Sequence, residues 1–348
     1  MVGPDRSVHG GISAVVNSYY DAGLGDMTDL RYIGTMKEGS KPYKLLVAVR
    51  AYFQFRRELA RADIVHVHVA SDNSFRRKSV FIRLAHKRGK KIIIHQHGGD
   101  LVGWITSGGS KRQADVVEVF NMASEIIVIS DAYRDIISGL SADGVSVKPT
   151  IHVMPNAIDV SRYHYSGQHD ESHSILFLGR ICRDKGIGEL IRAVSALSQQ
   201  YPDIKLKLGG IWEDDDLKSE AKTAGGHVEY VGWLSGENKI RALEECGIFA
   251  LPSYFEGQSV SVLEAMASGC LVVASNVGGI PMMVKDGVTG MLVRPRDEQS
   301  LEEALRRALS SDKLDEHSRM CEAARDMVHD EFNMSEYMKK LMQLYVVK

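Results

Sequence analysis

The chain alternates short runs of β-branched and aliphatic residues with longer amphipathic stretches, and it does so twice. In the first half the runs are "DIVHVHV" (63–69), "KIIIHQ" (91–96), "EIIVIS" (125–130) and "IHVMP" (151–155). Helical stretches such as "KLLVAVRAYFQFRRELARA" and "SVFIRLAHKRG" lie between them. In the second half the runs are "SILFLG" (174–179), "IKLKLGG" (204–210), "HVEYVG" (227–232), "GIFALPS" (247–253), "CLVVAS" (270–275) and "GMLVRP" (290–295). Such alternation predicts parallel sheets with helices on both faces, because a parallel pair needs a crossover long enough to hold a helix. A chain of 348 residues with two such series predicts two doubly wound α/β domains. The polar stretch "SRYHYSGQHDESH" (161–173) marks the boundary, giving domains over 1–165 and 166–334. The last helical stretch, 335–348, can pack on either domain, including back on the first.

In open α/β sheets, ligands sit beyond the carboxyl ends of the strands. Two facing domains would put both sets of carboxyl ends on one cleft, so residues that follow strands are the candidates for function. "SYFEGQSVSVLEAMASG" (253–269) follows a strand and holds Glu256 and Glu264. In one continuous helix these would stand about 12 Å apart along the axis. "EGQS" is poor helix material and "VSVLEAMA" is good, so Glu256 is expected on a loop, with Ser259 or Ser261 capping the helix that follows. The loop can then fold Glu256 over a helix N-terminus whose bare amides favour an anion. Two carboxylates beside an anion hole suit a polyhydroxylated phosphate ester. "FLGRICRDKGIGEL" likewise joins a strand to a helix, and Arg180 and Lys185 there can neutralise a diphosphate without a metal.

Three further features are weaker. Gly10 and Gly11 in "HGGIS" let backbone approach a ligand at the first helix start. "IIIHQHGGD" sets His95, His97 and Asp100 at a strand end, where His97 can meet a sugar hydroxyl or act as a base. No third ligand has helpful spacing, so no metal site is expected there. His66 and His68 in "VHVHV" are read as alternating sides of their strand, His66 as a satisfied packing residue and His68 nearer the cleft. Asp214 and Asp216 form a DxD, which is read as acids at a helix start and not as a metal site.

Hydrophobic residues at 44% and charged residues at 25% fit an ordinary soluble globular chain. There is no apolar run long enough to span a bilayer and no signal peptide in "MVGPDRSVHGG". Cys182, Cys246, Cys270 and Cys321 are scattered without a CxxC, which excludes a disulfide framework and a structural zinc and points to the cytoplasm. Charge is uneven: residues 1–165 hold 22 Lys/Arg against 16 Asp/Glu, and residues 166–348 hold 21 against 29. The basic segments 50–61 and 76–91 read either as amphipathic helices with charge outward or as a face for anionic lipid. Nucleic acid is not expected, because aromatic residues are not arrayed with the charge and the pI is about 6.7.

In order along nearly the whole chain, "HGGIS", "DIVHVH", "HQHG", "MPNAID", "FLGRICRDKG", "FEGQSVSVLEAMASG" and "NVGGIPMMVKDGVTGMLV" resemble the retaining, GT-B-fold glycosyltransferases of family 4. The glutamate pair with seven residues between matches that family's E-x7-E signature. The resemblance implies two Rossmann-like domains facing across a cleft. It implies that Glu256 binds hydroxyls of the donor sugar, Glu264 binds the nucleotide ribose, and Arg180 and Lys185 clamp the diphosphate. Gly257 and the amides of Gln258, Ser259 and Val260 would face that diphosphate. His97 would touch the sugar near the reacting carbon, and Gly10 and Gly11 would lie near phosphate and acceptor. No cofactor or catalytic metal is implied; a UDP- or GDP-type nucleotide sugar is the substrate. Two features depart from the family: the opening before "MVGPD" lacks a full first strand, and Ala157 stands where "PNGID" has glycine. The expected activity is sugar transfer with retention to an acceptor hydroxyl, on a lipid-linked glycan of a bacterial surface polysaccharide, with peripheral association with an anionic membrane. A sugar-nucleotide epimerase and a non-catalytic nucleotide-sugar-binding protein are the alternatives.

Overall fold

Each extended run named above is a strand in the computed structural model, which describes residues 1–165 and 173–346. The first sheet contains β1 (Val2–Gly3), β2 (Ile33–Gly34), β3 (Ile64–Val69), β4 (Lys91–Gln96) and β5 (Glu125–Val128). A short antiparallel hairpin of β6 (Ser141–Ala142) and β7 (Val145–Ser146) precedes its last strand, β8 (Thr150–Val153). The sheet runs β2-β1-β3-β4-β5-β8, all parallel. The second sheet contains β9 (Ser174–Ile181), β10 (Lys205–Trp212), β11 (Val228–Gly232), β12 (Ile248–Leu251), β13 (Leu271–Ser275) and β14 (Met291–Val293). Its order is β11-β10-β9-β12-β13-β14, again all parallel. Central strands of such sheets are covered on both faces, which is why they read as continuous apolar runs. Ile92, Ile93 and Ile94 of β4 are all fully buried. The strands that sequence patterning did not offer, β1, β2, β6 and β7, are two residues each, too short to show any period.

The chain divides into two units, Met1–Ala157 with Met334–Lys348, and Ile158–Asn333. The division falls before the polar stretch chosen from the sequence, not within it. The reason is hydrophobic: Ile158 and Tyr163 belong to the core of the second unit, with Val160 and Tyr165 against it. The helix Met334–Leu344 belongs to the first unit. Its Tyr337 hydroxyl lies 2.6 Å from that of Tyr19, the Tyr345 hydroxyl just beyond it lies 2.7 Å from His66 Nδ1, and Lys91 Nζ donates to the Val346 carbonyl at 2.7 Å.

Topology fixes where a ligand can bind. In the second unit the chain leaves β9, adds β10 and β11 on one side, then crosses to lay β12 on the other. The strand order reverses between β9 and β12, and the crevice of a doubly wound sheet opens beyond the carboxyl ends of those two strands. Among the described residues, no helix is long and apolar enough to cross a membrane.

Candidate functional site

The second unit gathers most of the expected site residues at that reversal. Arg180 is the penultimate residue of β9, and β10 pairs in register beside it, Ile211 opposite Arg180. Glu213, just past β10, therefore accepts from Arg180 Nη1 at 2.8 Å. Burial works against the Arg180 charge, but Glu213, and Glu256 further off, outweigh it and raise its pKa above the ordinary value. Lys185 ends the 3-10 turn Arg183–Lys185, which Gly186 leaves with a left-handed φ of 68°. A Cβ at Gly186 would stand 2.1 Å from the Pro252 carbonyl oxygen, so only glycine lets this turn lie against the end of β12. That approach delivers Lys185 Nζ to Glu256 Oε1 as an ion pair, and Ser253 Oγ donates to the same oxygen at 2.9 Å. Both side chains of the pair are largely buried, at 16% and 12% exposure.

Glu256 is on a loop, and the helix Val260–Ala267 follows with Ser259 at its N-cap position. The expectation that a serine hydroxyl caps this helix is not met. Ser259 Oγ lies 3.0 Å from Ser261 Oγ, and Ser261 Oγ donates to the Leu178 carbonyl of β9 at 3.4 Å. The hydroxyls are spent tying the helix start to β9, and the first amides of a helix have no intrahelical acceptor. The Gln258 side chain is buried, with Nε2 3.8 Å from Met283 Sδ. Glu264 lies in the second turn, 6% exposed. Its Oε1 accepts from the Tyr163 hydroxyl at 3.0 Å and pairs with Lys239 Nζ. Burial first, and the Glu264 charge second, raise the Tyr163 pKa, so the phenol stays a donor.

Sequence reasoning missed Tyr163, Lys239, Glu213 and Ser253, and it missed two glycines. Gly278 has φ 52°, and a Cβ there would stand 1.6 Å from the Glu256 carbonyl oxygen; one at Gly279 would stand 2.0 Å from that of Gly257. Consecutive glycines right after the run "CLVVAS" were the available signal. Asp214 and Asp216 start the helix Asp215–Thr223, as acids at a helix N-terminus should. Asp214 Oδ2 accepts from the Arg183 amide at 2.8 Å, and Asp216 Oδ2 lies 3.0 Å from Arg183 Nη2.

The first unit holds His97, Gly10 and Gly11. His97 follows β4 and is pinned by its amide to the Val69 carbonyl at 2.9 Å. Its Nε2 lies 2.7 Å from His68 Nδ1, and its ring stacks on His95 with centroids 3.9 Å apart. The reading that His66 and His68 alternate sides is wrong, because residues two apart in a strand share a face. The register sets His68 opposite His95, so four imidazoles line one face. His66 and His68 stack at 4.4 Å, and His68 and His95 lie 5.2 Å apart. His66 is only half satisfied: Nδ1 meets Tyr345, and Nε2 has no partner. Burial keeps all four pKa values low, that of His95 at about 3.

Ligand atoms of His66, His68 and His95 lie within 4.8 Å of one another, a third nitrogen that spacing had not offered. Their rings are inclined by only 12° to 32°. Lone pairs in the planes of stacked rings do not converge, so the cluster as built is a neutral stack and not a metal cage. Gly10 caps the first helix, Gly11–Asp21, and beside both glycines there is open space. Asp100 caps the helix Leu101–Ser107 through the Gly103 amide at 2.8 Å, which takes it out of the candidate set.

Comparison with known proteins agrees with this geometry. The family profile described as "Glycosyl transferases group 1" matches residues 164–327, and that of "Glycosyltransferase Family 4" matches residues 19–162. A glycogen synthase of Mycobacterium tuberculosis is 26% identical over 296 residues, 82% of this chain and 69% of that protein. A phosphatidyl-myo-inositol mannosyltransferase of Mycolicibacterium smegmatis is 30% identical over 196 residues, 54% of this chain and 49% of that protein. Among solved structures, the sucrose-phosphate synthase of Thermosynechococcus elongatus superposes with a TM-score of 0.77 at 19% identity, covering 99% of this chain and 97% of that one. Anabaena HepE, solved in complex with UDP-glucose, superposes with a TM-score of 0.74 at 16% identity, covering 98% and 97%. Two Rossmann-like units, a charged crevice at the β9/β12 reversal and profile matches over both halves lead to one conclusion: the chain belongs to family 4 of the retaining glycosyltransferases, enzymes of GT-B fold that draw on nucleotide-sugar donors.

Proposed function

We propose that this enzyme moves a sugar from a uridine or guanosine diphosphate sugar to a hydroxyl of a lipid-linked glycan, in bacterial surface polysaccharide synthesis at the membrane. The observation that carries the donor half is the cluster at the β9/β12 reversal: Arg180, Lys185 and Glu256 around the start of the Val260–Ala267 helix, with Glu264 buried in its second turn. Cations and amides suit a diphosphate; carboxylates suit hydroxyls on either side of it. Glu264, held by Tyr163 and Lys239, is assigned to the ribose, and Glu256 to the donor sugar. The amides of Gly257, Gln258, Ser259 and Val260 are assigned to the diphosphate, and Gly10 and Gly11 to backbone approach near phosphate and acceptor. His97 orients the sugar. The acceptor half rests on the basic first domain and on the inositol-lipid mannosyltransferase among the relatives.

In the reaction, the bond from the anomeric carbon to the diphosphate oxygen breaks as the bond to the acceptor oxygen forms on the same face. The acceptor proton passes to the leaving phosphate oxygen, so no protein nucleophile is needed. Negative charge grows on the diphosphate, where Arg180, Lys185 and the helix amides are already oriented. A thermal-shift screen of nucleotide sugars tests the donor. At a concentration about a hundredfold above Kd, the matching donor adds roughly 2.7 kcal/mol to the native state and raises Tm. Glu264→Gln should shrink that shift, with Kd about tenfold weaker or more, because a neutral amide accepts less strongly from ribose hydroxyls. An unchanged Kd in that variant removes Glu264 from the ribose. Acceptor-dependent release of nucleotide diphosphate then separates a transferase from an epimerase or a binding protein.

The glycine pair carries its own prediction. In Gly278→Ala the new methyl meets the Glu256 carbonyl oxygen at 1.6 Å, which forces the Glu256 loop to retreat. A displacement of about 1 Å at a reacting geometry can cost roughly a hundredfold in rate. Transfer in Gly278→Ala should fall by about that much while circular dichroism keeps the α/β signature.

A further inference from the structure

The helix Lys41–Glu58 turns its large apolar side chains outward. Leu45, Leu46, Val49 and Phe53 are 66%, 63%, 45% and 62% exposed, while Ala51 and Phe55 are buried. At about 100° per residue the four exposed residues fall in a stripe roughly 100° wide, on the side facing away from Ala51 and Phe55. Arg50 and Arg57 border the stripe on one edge, Lys41 on the other, and Arg56 extends it. The only acid in the helix is Glu58, which pairs with Arg57 at 2.9 Å. Of the two readings open for this basic segment, the exposed hydrocarbon stripe with exposed cations along its border favours the lipid-facing one.

We propose that this helix docks on an anionic lipid bilayer. Leu45, Leu46, Val49 and Phe53 enter the interface, and Lys41, Arg50, Arg56 and Arg57 meet headgroup phosphates. The arrangement matches an interfacial helix, in which apolar burial and attraction to anionic headgroups act together and long basic side chains lay their stems along the apolar surface. A second copy of the chain fits the face poorly, because self-association would bring two sets of these four cations together without acids to answer them. The purpose of docking rests on the lipid-linked acceptor proposed above, but the docking itself is measured without any acceptor.

The full chain is sedimented with phosphatidylcholine vesicles, with and without phosphatidylglycerol, at low and high salt. Binding should require the anionic lipid and weaken with salt as exposed charges are screened. Leu45→Glu with Phe53→Glu should lower the partition at least about tenfold, and Arg50→Gln with Arg57→Gln should remove about half of the salt-sensitive part, leaving that of Lys41 and Arg56. Phe53→Trp should gain a fluorophore quenched by brominated acyl chains, relative to the parent chain. All substituted positions are on the exposed surface and outside the donor cluster, so donor turnover with a water-soluble acceptor should be unchanged. Equal partition of the Leu45→Glu/Phe53→Glu variant, or an unquenched Phe53→Trp at saturating vesicles, overturns the proposal. So does a lipid-free dimer that dissociates in the Leu45→Glu/Phe53→Glu variant, which would give the face to a second copy. Turnover without vesicle binding leaves the transferase reading intact, and vesicle binding without turnover leaves the docking surface intact.

Discussion

Replacing Arg180 and Lys185 together with alanine is expected to lower sugar transfer by at least about 10³-fold, roughly 4 kcal/mol of transition-state stabilisation. Arg180 is held at the end of β9 and Lys185 on the turn that Gly186 fits against β12. In the proposed role each answers negative charge that is larger in the transition state than in the bound donor, so the loss should fall in kcat and not in KM alone. Removing a single preorganised donor of this kind costs about 10² to 10³; two that act on one group are not simply multiplicative. The variant also leaves Glu213 and Glu256 without their cations, which adds repulsion toward an incoming diphosphate. The fold survives, because neither side chain is among the buried core of its unit. Arg180→Lys is a sharper probe: it keeps the charge and loses the planar fork, and should fall between wild type and alanine. Initial rates of nucleotide diphosphate release, with circular dichroism as the fold control, decide the matter. A double variant within tenfold of wild type ends the clamp assignment.

The fold was legible because buried parallel strands announce themselves as apolar runs, and ten such runs map onto β3, β4, β5 and β8 to β14. The candidate residues were legible where a polar side chain stands at or just beyond the carboxyl end of a strand, as Arg180 does in β9, Glu256 on the loop after β12 and His97 after β4. What stayed hidden depends on contacts distant in sequence. Tyr163 and Lys239 reach Glu264 across 101 and 25 residues, and no local pattern reports such distances. Gly278 matters through a carbonyl 22 positions upstream, which only the folded loop reveals. The division of contacts falls eight residues ahead of the boundary read from the polar stretch 161–173, because Ile158 and Tyr163 pack in the second core. The shared face of the histidines follows from the strand period of two, and the register of β3 on β4 brings His95 beside His68.

Acid is expected to unfold the first unit selectively, and its four stacked imidazoles are the reason. Burial holds His66, His68, His95 and His97 below the ordinary value of 6.5, His95 at about 3. The unfolded chain therefore binds more protons than the native unit as pH drops below about 6.5, and stability falls with pH by up to about 1.36 kcal/mol per unit for each histidine. From pH 7.5 to 5.5 four such groups withdraw roughly 5 kcal/mol, comparable to the whole stability of a marginal domain. The groups facing the stack offer no relief. Tyr19, Tyr337 and Tyr345 are neutral phenols with raised pKa values, and Lys78, lowered to about 7 by burial, becomes another cation as pH drops. Above pH 7 Lys78 acts with the same sign, since the native unit releases its proton before the unfolded chain does. Amide exchange followed by mass spectrometry across pH 5.5 to 7.5 should show peptides from β3 and β4 losing protection in acid while those from β9 and β12 hold theirs. His95→Met removes one titrating ring of similar bulk, and both of its nitrogens are unpartnered, so no hydrogen bond is lost. That variant should lose about a quarter of the pH slope of the first unit. A slope unchanged by His95→Met, or equal acid lability in both units, would show that the stack is protonated in the native state and that the loss of stability lies elsewhere.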